Sequence, residues 1–491
     1  MKLFSRRDID VKTFFMTLAF WLGLMGAMKV TGGVAFVVLI PLALLALSRR
    51  AHEQLIFILL VAISTILTNG FLMPKGLVYA ISERVLFVGL GFLLFVQIAG
   101  QRNSRLLTPF LGLVPYLAFM AAISLSGWCP IVSYLKLFLF TTIFFAYYAI
   151  ANRAANRDLN VRRLRAMILA FATFYIVGSI LVKPFGWAYM SFADMEVYVT
   201  SDTTNLFKGV TTHSNALGGA LSVFSLVLLG DMLFAIQRVE PLYLINLICA
   251  FFLIAKSGSR TAMGTFVLGA GFAFYCFLQT RSVKRSWRGK IAQIAFLGGL
   301  VLGALVLGSS TGREKIVRFV VKQRDKDVAV ELSREGVMSS RQGKIDEGLA
   351  NWRKSPAFGN GFQVSEDMKG FSISSLRSIL SAPVEKSVWF AAVLEEGGVI
   401  GFGLFVTFLL CAIPTLVKRK AYIGATLFFA VLCANCGEFT FFSMSGTGGL
   451  QWGMVFVGII LDIQRLRGER RALFCAPPPT FIPQQMRPFN G

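Results

Sequence analysis

Long apolar runs recur along almost the whole chain and constrain its fold more than any other feature. Each run is close to the roughly 20 apolar residues that an α-helix needs to cross the hydrocarbon layer of a bilayer, which is about 30 Å thick. A helix can cross that layer because it satisfies its own backbone hydrogen bonds. The chain is 55% hydrophobic and only 15% charged, which excludes an ordinary soluble domain. The pattern predicts an all-α, polytopic integral membrane protein.

The apolar runs give about 14 candidate membrane spans, so the predicted architecture has about 12–14 transmembrane helices. The candidate spans lie at 13–28, 30–47, 54–73, 77–99, 106–126, 131–151, 164–182, 214–236, 241–256, 261–279, 291–309, 388–416, 421–436 and 449–464.

A polar stretch at 310–386 interrupts the apolar runs and predicts one large loop. It contains short amphipathic segments, REKIVRFVVKQ and GKIDEGLANWRK, which predict helices lying over the bundle. The domains that follow from this pattern are N-terminal transmembrane helices (1–182), a short loop (183–213), central transmembrane helices (214–309), the large loop (310–386), C-terminal transmembrane helices (387–464) and a Pro-rich tail that is expected to be disordered (465–491).

The formal net charge of +24 comes mainly from basic residues clustered at the ends of apolar runs. That distribution indicates membrane topology and not binding to nucleic acid. If the N-terminus is cytoplasmic, the cytoplasmic side carries about 27 Lys and Arg residues, and the short loops on the opposite side carry about 6. The asymmetry predicts that both termini are cytoplasmic and that the two loops are extracytoplasmic. Cys433 and Cys436 form a C-x-x-C pair in an apolar run, which we interpret as helix packing and not as a metal or redox site.

Charged residues in apolar runs are candidates for function, because a charge in lipid is costly. They are Glu83 and Arg84 in the fourth span, Lys136 in the sixth, Asp231 in the eighth and Glu438 after the thirteenth. Arg84 either pairs with another residue of the protein or contacts a ligand, and the sequence leaves both interpretations open.

The short break KSGSRTAMG places Arg260 at the predicted outer end of two spans. Small residues there, including Ser259, let helices approach closely. A guanidinium suits a phosphate because it donates two parallel hydrogen bonds. An equal alternative is that Arg260 only extends its charged end to the membrane–water interface. His213 and Asn215 precede a span at the same depth, and the histidine is either a base or a structural residue.

Four motifs together resemble the O-antigen ligase and polysaccharide polymerase superfamily. They are THSNALG, KSGSRTAMG, SSRQGKIDEGLANWRKSPAFGNGF and EKSVWFAAVLEEGGVIGFGLF, and with their spacing they cover about residues 205–410. The resemblance implies a C-type glycosyltransferase of the bacterial inner membrane that needs no cofactor. Such an enzyme transfers a glycan from a polyprenyl diphosphate carrier to an acceptor sugar hydroxyl on the extracytoplasmic face. The implied partners are the lipid-linked oligosaccharide, the acceptor glycan, the bilayer, a flippase and chain-length regulator proteins.

By the same resemblance, preplaced cations stabilise the leaving diphosphate, and a base near the acceptor accelerates the transfer. The diphosphate-binding candidates are Arg260, Arg341, Arg84 and Lys386, and Asn215 and Ser259 are further site residues. The identity of the base is left open: Glu385 is the first candidate, His213 the second, and Glu395 or Glu396 the third. The alternative for Glu395 and Glu396 is a structural role as a cap or an ion pair.

The chain departs from the ligase pattern in one place. Ligases of the superfamily tend to carry a histidine just before the E-x-G-x-x-G span, and this chain has Glu385, Lys386 and Ser387 there. The difference favours a polymerase of lipid-linked repeat units. The alternatives are a ligase that acts on a lipid or protein acceptor and a lipid-linked oligosaccharide flippase, although a flippase is expected to have related halves, and the sequence has no internal repeat.

Overall fold

The computed structural model of the chain describes residues 9–96, 104–156, 159–189, 206–235, 241–280, 334–366, 386, 388–443 and 446–474. Within these ranges the regular elements are helical, and extended pairing is limited to two isolated bridges, Thr68–Thr211 and Tyr189–Phe207. Eight helices are long and apolar enough to cross a membrane, and five shorter apolar helices accompany them. The protein is therefore all-α and has the helices of a multi-pass membrane protein.

The α-helices are named in chain order. They are α1 (Val11–Thr31), α2 (Leu39–Ser48), α3 (His52–Leu67), α4 (Leu77–Arg84), α5 (Leu90–Val96), α6 (Val114–Ile123), α7 (Pro130–Asn156), α8 (Val161–Leu181), α9 (Ser214–Phe234), α10 (Pro241–Ser257), α11 (Arg260–Leu278), α12 (Arg334–Lys354), α13 (Trp389–Lys418), α14 (Tyr422–Asn435) and α15 (Gly446–Phe474).

Every predicted span in the described ranges overlaps a helix, although the one predicted at 54–73 runs past α3, which ends at Leu67, and the span predicted at 291–309 lies outside those ranges. Three predicted spans combine helix types. A 3₁₀ turn, Val34–Val38, precedes α2, a π-helical turn, Val85–Gly89, joins α4 to α5, and a 3₁₀ helix, Thr108–Leu113, precedes α6. The segment GKIDEGLANWRK is helical as expected, as part of α12. The segment REKIVRFVVKQ lies outside the described residues.

The last helix runs further than the sequence pattern suggests. We placed the end of the last span at 464 and a disordered tail after it, but α15 continues to Phe474. Arg465 explains the continuation, because it pairs with Asp462 at 3.2 Å and with Glu469 at 2.8 Å, which are three and four residues away on the same helix. Residues from 475 onward lie outside the described ranges.

Basic and polar loops meet at one end of the bundle, which we call the basic end. The backbone N–H of Asp10 donates to Arg162 O at 3.3 Å, and the N–H of Asn160 donates to Glu53 Oε1 at 2.6 Å. Arg419, after α13, donates to the carbonyl of Arg105. Within the described ranges, the loops around Asp10, Glu53, Arg105, Asn160 and Arg419, which the charge pattern placed on one side of the membrane, therefore contact one another in pairs.

Asp231, one of the charged residues that the sequence singled out, lies in the last turns of α9 near the basic end. Its carboxylate accepts hydrogen bonds from Arg165 Nε at 2.8 Å and Tyr243 OH at 3.1 Å. Both carboxylate and guanidinium are buried. Because α8, α9 and α10 each contribute one partner, Asp231 is a structural link between helices.

The centre of the bundle is formed by α9, α14 and α15 with their neighbours. Gly269 and Gly424 permit close packing there, since a Cβ at Gly269 would lie 2.7 Å from Leu226 Cδ1 and one at Gly424 would lie 2.5 Å from Ile459 Cγ1. Aromatic rings fill the layer toward the opposite end, where Trp452 Nε1 donates to Phe441 O at 2.7 Å. This core holds the ends of α9, α11, α14 and α15 in fixed positions.

Candidate functional site

The motifs that the sequence singled out gather at the end of the bundle opposite the basic end. Here α9 and α11 begin, and Gly218 of α9 packs against the first turn of α11. A Cβ at Gly218 would lie 2.7 Å from the Cβ of Ala262 and 3.0 Å from that of Ser259. The close approach that the small residues of KSGSRTAMG predicted is thus present.

A small polar cleft, with room for about one water molecule, opens between the ends of α9, α11, α14 and α15. Its wall is made largely of hydroxyl and amide side chains. Those that matter below are Asn215, Ser259, Thr265, Glu438, Thr440 and Gln451.

Glu438 lies in this polar cleft and contacts one of the predicted site residues. Its Oε1 accepts a hydrogen bond from Asn215 Nδ2, which fixes the carboxylate to the first turn of α9. On the same wall, Thr440 Oγ1 donates to Gln451 Oε1 at 3.2 Å, and Thr440 N donates to Asn435 Oδ1 at 2.7 Å. The sequence identified Glu438 as a charge near an apolar run but gave it no role in the site.

His213 is the N-cap of α9. Its Nδ1 accepts the backbone N–H of Asn215 at 3.1 Å, so that nitrogen is engaged in capping. Nδ1 is therefore not available for proton transfer in this arrangement. The contact gives His213 a structural role, and its role as a base stays a prediction.

Ser259 and Arg260 form the start of α11. Ser259 is the N-cap, and its Oγ accepts the N–H of Ala262 at 3.4 Å. Gly258 before it has φ of 68°, which lets the chain turn between α10 and α11. Arg260 is half-buried at the first helical position, where the positive end of the helix dipole and the guanidinium both favour an anion.

A second group of charges, which we call the buried ion cluster, consists of Lys386, Glu395 and Glu396. Lys386 Nζ lies 3.2 Å from Glu395 Oε2 and 3.1 Å from Glu396 Oε1. The three residues are 7%, 5% and 0% exposed. Burial lowers the pKa of Lys386, but the two carboxylates outweigh it and raise the pKa above its ordinary value.

The large loop encloses the buried ion cluster. Asn351 Nδ2, from α12, donates to Glu395 Oε1 at 3.1 Å, and Asn360 Nδ2 donates to Glu395 O at 3.2 Å. From α7, Lys136 Nζ donates to Gln363 O at 3.1 Å. The described part of the loop is therefore fastened to the bundle by buried polar contacts.

These contacts depend on a break in α13. Gly398 has φ of 61° and ψ of −165°, a conformation that is essentially restricted to glycine. The loop supplies the hydrogen bonds that the helix loses there: Asn360 N donates to Glu395 O at 2.9 Å, and Gly361 N donates to Glu396 O at 3.1 Å. The SPAFGNGF and LEEGG motifs thus form one unit, in which a Cβ at Gly359 would lie 2.3 Å from Glu396 O.

The buried ion cluster and the polar cleft are neighbours. The backbone N–H of Phe439, one residue after Glu438, donates to Lys386 O at 3.3 Å. The rings of Phe362 and Phe442 lie 5.2 Å apart, which joins the loop to the segment between α14 and α15. The structure therefore brings Asn215, Ser259, Glu395, Glu396 and Lys386 to one end of the molecule.

The other three predicted site residues are Glu385, Arg341 and Arg84. Glu385 lies outside the described residues. Arg341 lies in α12, one helical turn before Ile345, which packs against Val388 at the start of α13. Arg84 Nη1 donates to Ala80 O at 3.1 Å within α4, and none of its hydrogen bonds or ion pairs reaches the cleft or the cluster.

No family model matches the chain, and no curated protein matches it.

Proposed function

We propose that the protein is a membrane glycosyltransferase that polymerises oligosaccharide units carried on a polyprenyl diphosphate. One observation supports the proposal most: THSNALG, KSGSRTAMG, SPAFGNGF and LEEGG, which carry the resemblance to the polymerase and ligase superfamily, converge at one end of the helix bundle. Their convergence fits a common site, since nothing in hydropathy alone requires these four segments to meet.

The reaction requires such a site to stabilise the leaving diphosphate and to accept a proton from the acceptor hydroxyl. An acceptor hydroxyl oxygen attacks the anomeric carbon, the bond from that carbon to the phosphate oxygen breaks, and the diphosphate leaves with the electron pair. Hydrogen-bond donors and cations must stabilise the leaving group. In this proposal Arg260, at the start of α11, stabilises the leaving diphosphate together with Arg341 of α12, and a carboxylate accepts the hydroxyl proton.

The buried ion cluster has a supporting role in this proposal. Lys386 is occupied by two carboxylates in the described structure, so a diphosphate has to compete with them for the ammonium group. Glu395 and Glu396 in turn hold the loop that carries Arg341 against α13. Glu385, the first candidate for the base from the sequence, lies outside the described residues.

In this proposal the site faces away from the cytoplasm of a bacterial cell, and both termini are cytoplasmic. The donor is then delivered by a flippase, and the acceptor is a second lipid-linked unit. The reactive ends of both lipids lie at the membrane surface, which suits a site located at helix ends.

The test is a reconstituted reaction. Purified protein in lipid nanodiscs, supplied only with polyprenyl-diphosphate repeat units, should produce a ladder of longer lipid-linked glycans. Arg260→Lys should abolish most of the ladder, because lysine keeps the positive charge but cannot donate the two parallel hydrogen bonds of a guanidinium to a phosphate. Arg163→Lys, an arginine at the basic end, is the matched control and should leave the ladder intact. Products that form only when a different acceptor is added would identify a ligase, and no transfer from any such donor would overturn the proposal.

A further inference from the structure

The chemistry of the polar cleft differs from that of a phosphate site. Hydroxyl and amide groups make up most of its polar wall, and Glu438 adds a carboxylate. Groups of this kind donate to and accept from the hydroxyls of a sugar. A carboxylate in the wall repels a diphosphate, so the cleft is better suited to the acceptor than to the leaving group.

Thr265 gives independent evidence that the cleft takes a polar ligand. It lines the cleft from the second turn of α11 and is only 1% exposed. Its Oγ1 has no hydrogen-bond partner in the part of the chain that the structure describes. A buried hydroxyl without a partner costs free energy, and a ligand hydroxyl in the cleft would provide the partner.

The position of Arg260 relates the cleft to the proposed donor site. Ser259 and Thr261 both line the cleft, and Arg260 lies between them at the start of α11. Arg260 is not itself a wall residue, but the start of α11 carries both the proposed diphosphate site and part of the cleft wall. Such an arrangement is what a transfer between two substrates requires.

We propose that the polar cleft is the acceptor subsite and that Glu438 is the base of the transfer. This inference rests on the proposed function. The acceptor hydroxyl of the sugar enters the cleft against Asn215, Thr265 and Glu438, and the rest of the sugar lies outside it. As its hydroxyl oxygen bonds to the anomeric carbon and the diphosphate leaves, the hydroxyl proton passes to the Glu438 carboxylate. Asn215 is a positioning residue, because its amide holds that carboxylate in place.

The first test replaces the carboxylate by an amide of the same shape. Glu438→Gln retains an oxygen that can accept from Asn215 Nδ2 but cannot take a proton. Its kcat should fall by about 10²- to 10⁴-fold, as expected on loss of a general base. Glu347→Gln, an exposed glutamate of α12, is the control and should keep the rate of the unsubstituted protein.

The second test separates ligand binding from folding. Rates are measured with a fixed lipid-linked donor and increasing amounts of the free oligosaccharide released from the same lipid by mild acid. Thr265→Val should raise the KM for this acceptor by about tenfold. Its thermal unfolding midpoint should be unchanged or higher, because the hydroxyl has no hydrogen bond to lose within the described protein. A residue with only a structural role would leave the KM unchanged.

The outcomes distinguish this inference from the proposed function. If the unsubstituted protein transfers glycan and both variants match it, the acceptor subsite is wrong and the glycosyltransferase stands. If the unsubstituted protein transfers nothing, the function fails and the inference with it. If Glu438→Gln does not fold, Thr265→Val decides alone, and an unchanged KM overturns the inference.

Discussion

Two lysines show how burial changes the value of the same contact. Lys344 Nζ lies 3.1 Å from Glu347 Oε2, and Lys386 Nζ lies 3.1 Å from Glu396 Oε1. The side chains of the first pair are 49% and 51% exposed, whereas those of the second are 6% and 0% exposed. Water screens the first pair, so it contributes at most about 1 kcal/mol. In the second pair, each charge needs the other in order to remain buried.

Removing one partner of each pair should therefore have different effects. Lys386→Met leaves two carboxylates buried without their cation and should destabilise the fold by about 3–5 kcal/mol. Lys344→Met should cost less than about 1 kcal/mol. Thermal unfolding in detergent measures both. Adding Glu395→Gln and Glu396→Gln to Lys386→Met should recover much of the loss, and an equal midpoint for Lys386→Met and Lys344→Met would contradict this account.

Individual contacts also show which residues of the candidate site a sequence can reveal. The capping contact of His213 with Asn215 spans two positions, so local pattern was enough to place both at a helix start. The partner of Asn215, Glu438, is 223 residues further along the chain. Helix periodicity relates residues three or four apart and carries no information on that distance. For this reason Glu438 was recognised as a charge but not as part of the site.

At the scale of single helices, the sequence predicted most of the fold. In lipid a crossing segment must satisfy its own backbone, so an apolar run of the right length has little alternative to a helix. The run at 388–416 shows what this reasoning misses. Hydropathy averages over the run and gives one span, whereas the backbone breaks at Gly398, where the SPAFGNGF loop replaces helical hydrogen bonds. That replacement is a long-range contact.

Two glycines of α13 test the break. Gly398 has φ of 61°, and a Cβ there would lie 2.3 Å from Ala357 O. Gly398→Ala should therefore destabilise the protein by roughly 3 kcal/mol and release the loop. Gly403 lies in the same helix with no atom within 4 Å of an added Cβ, so Gly403→Ala should be neutral or stabilising by about 0.5–1 kcal/mol. Limited proteolysis of the loop and thermal unfolding report the two effects, and equal behaviour of the two variants would show that the break is not required.

For the molecule as a whole, the two ends of the bundle have different chemistry. Several described basic loops meet at the basic end, while the polar cleft and the buried ion cluster lie at the other end. The basic loops had been grouped from the sequence by charge alone, and their contacts now agree with that grouping. The fold alone does not show which end faces the cytoplasm. The charge asymmetry between the loops predicts that the basic end does.

We predict that the end with the cleft faces away from the cytoplasm, and two glutamates of nearly equal exposure test this. Glu347 of α12 is 51% exposed on the helix that contacts the buried ion cluster, and Glu469 of α15 is 52% exposed at the basic end. In a cysteine-free background, Glu347→Cys should react with a membrane-impermeant maleimide in intact spheroplasts, and Glu469→Cys should react only after lysis. Because the two positions are equally accessible to solvent, a difference in labelling reports the membrane side. The reverse pattern would place the cleft in the cytoplasm, where a lipid-linked glycan that has already been flipped cannot reach it.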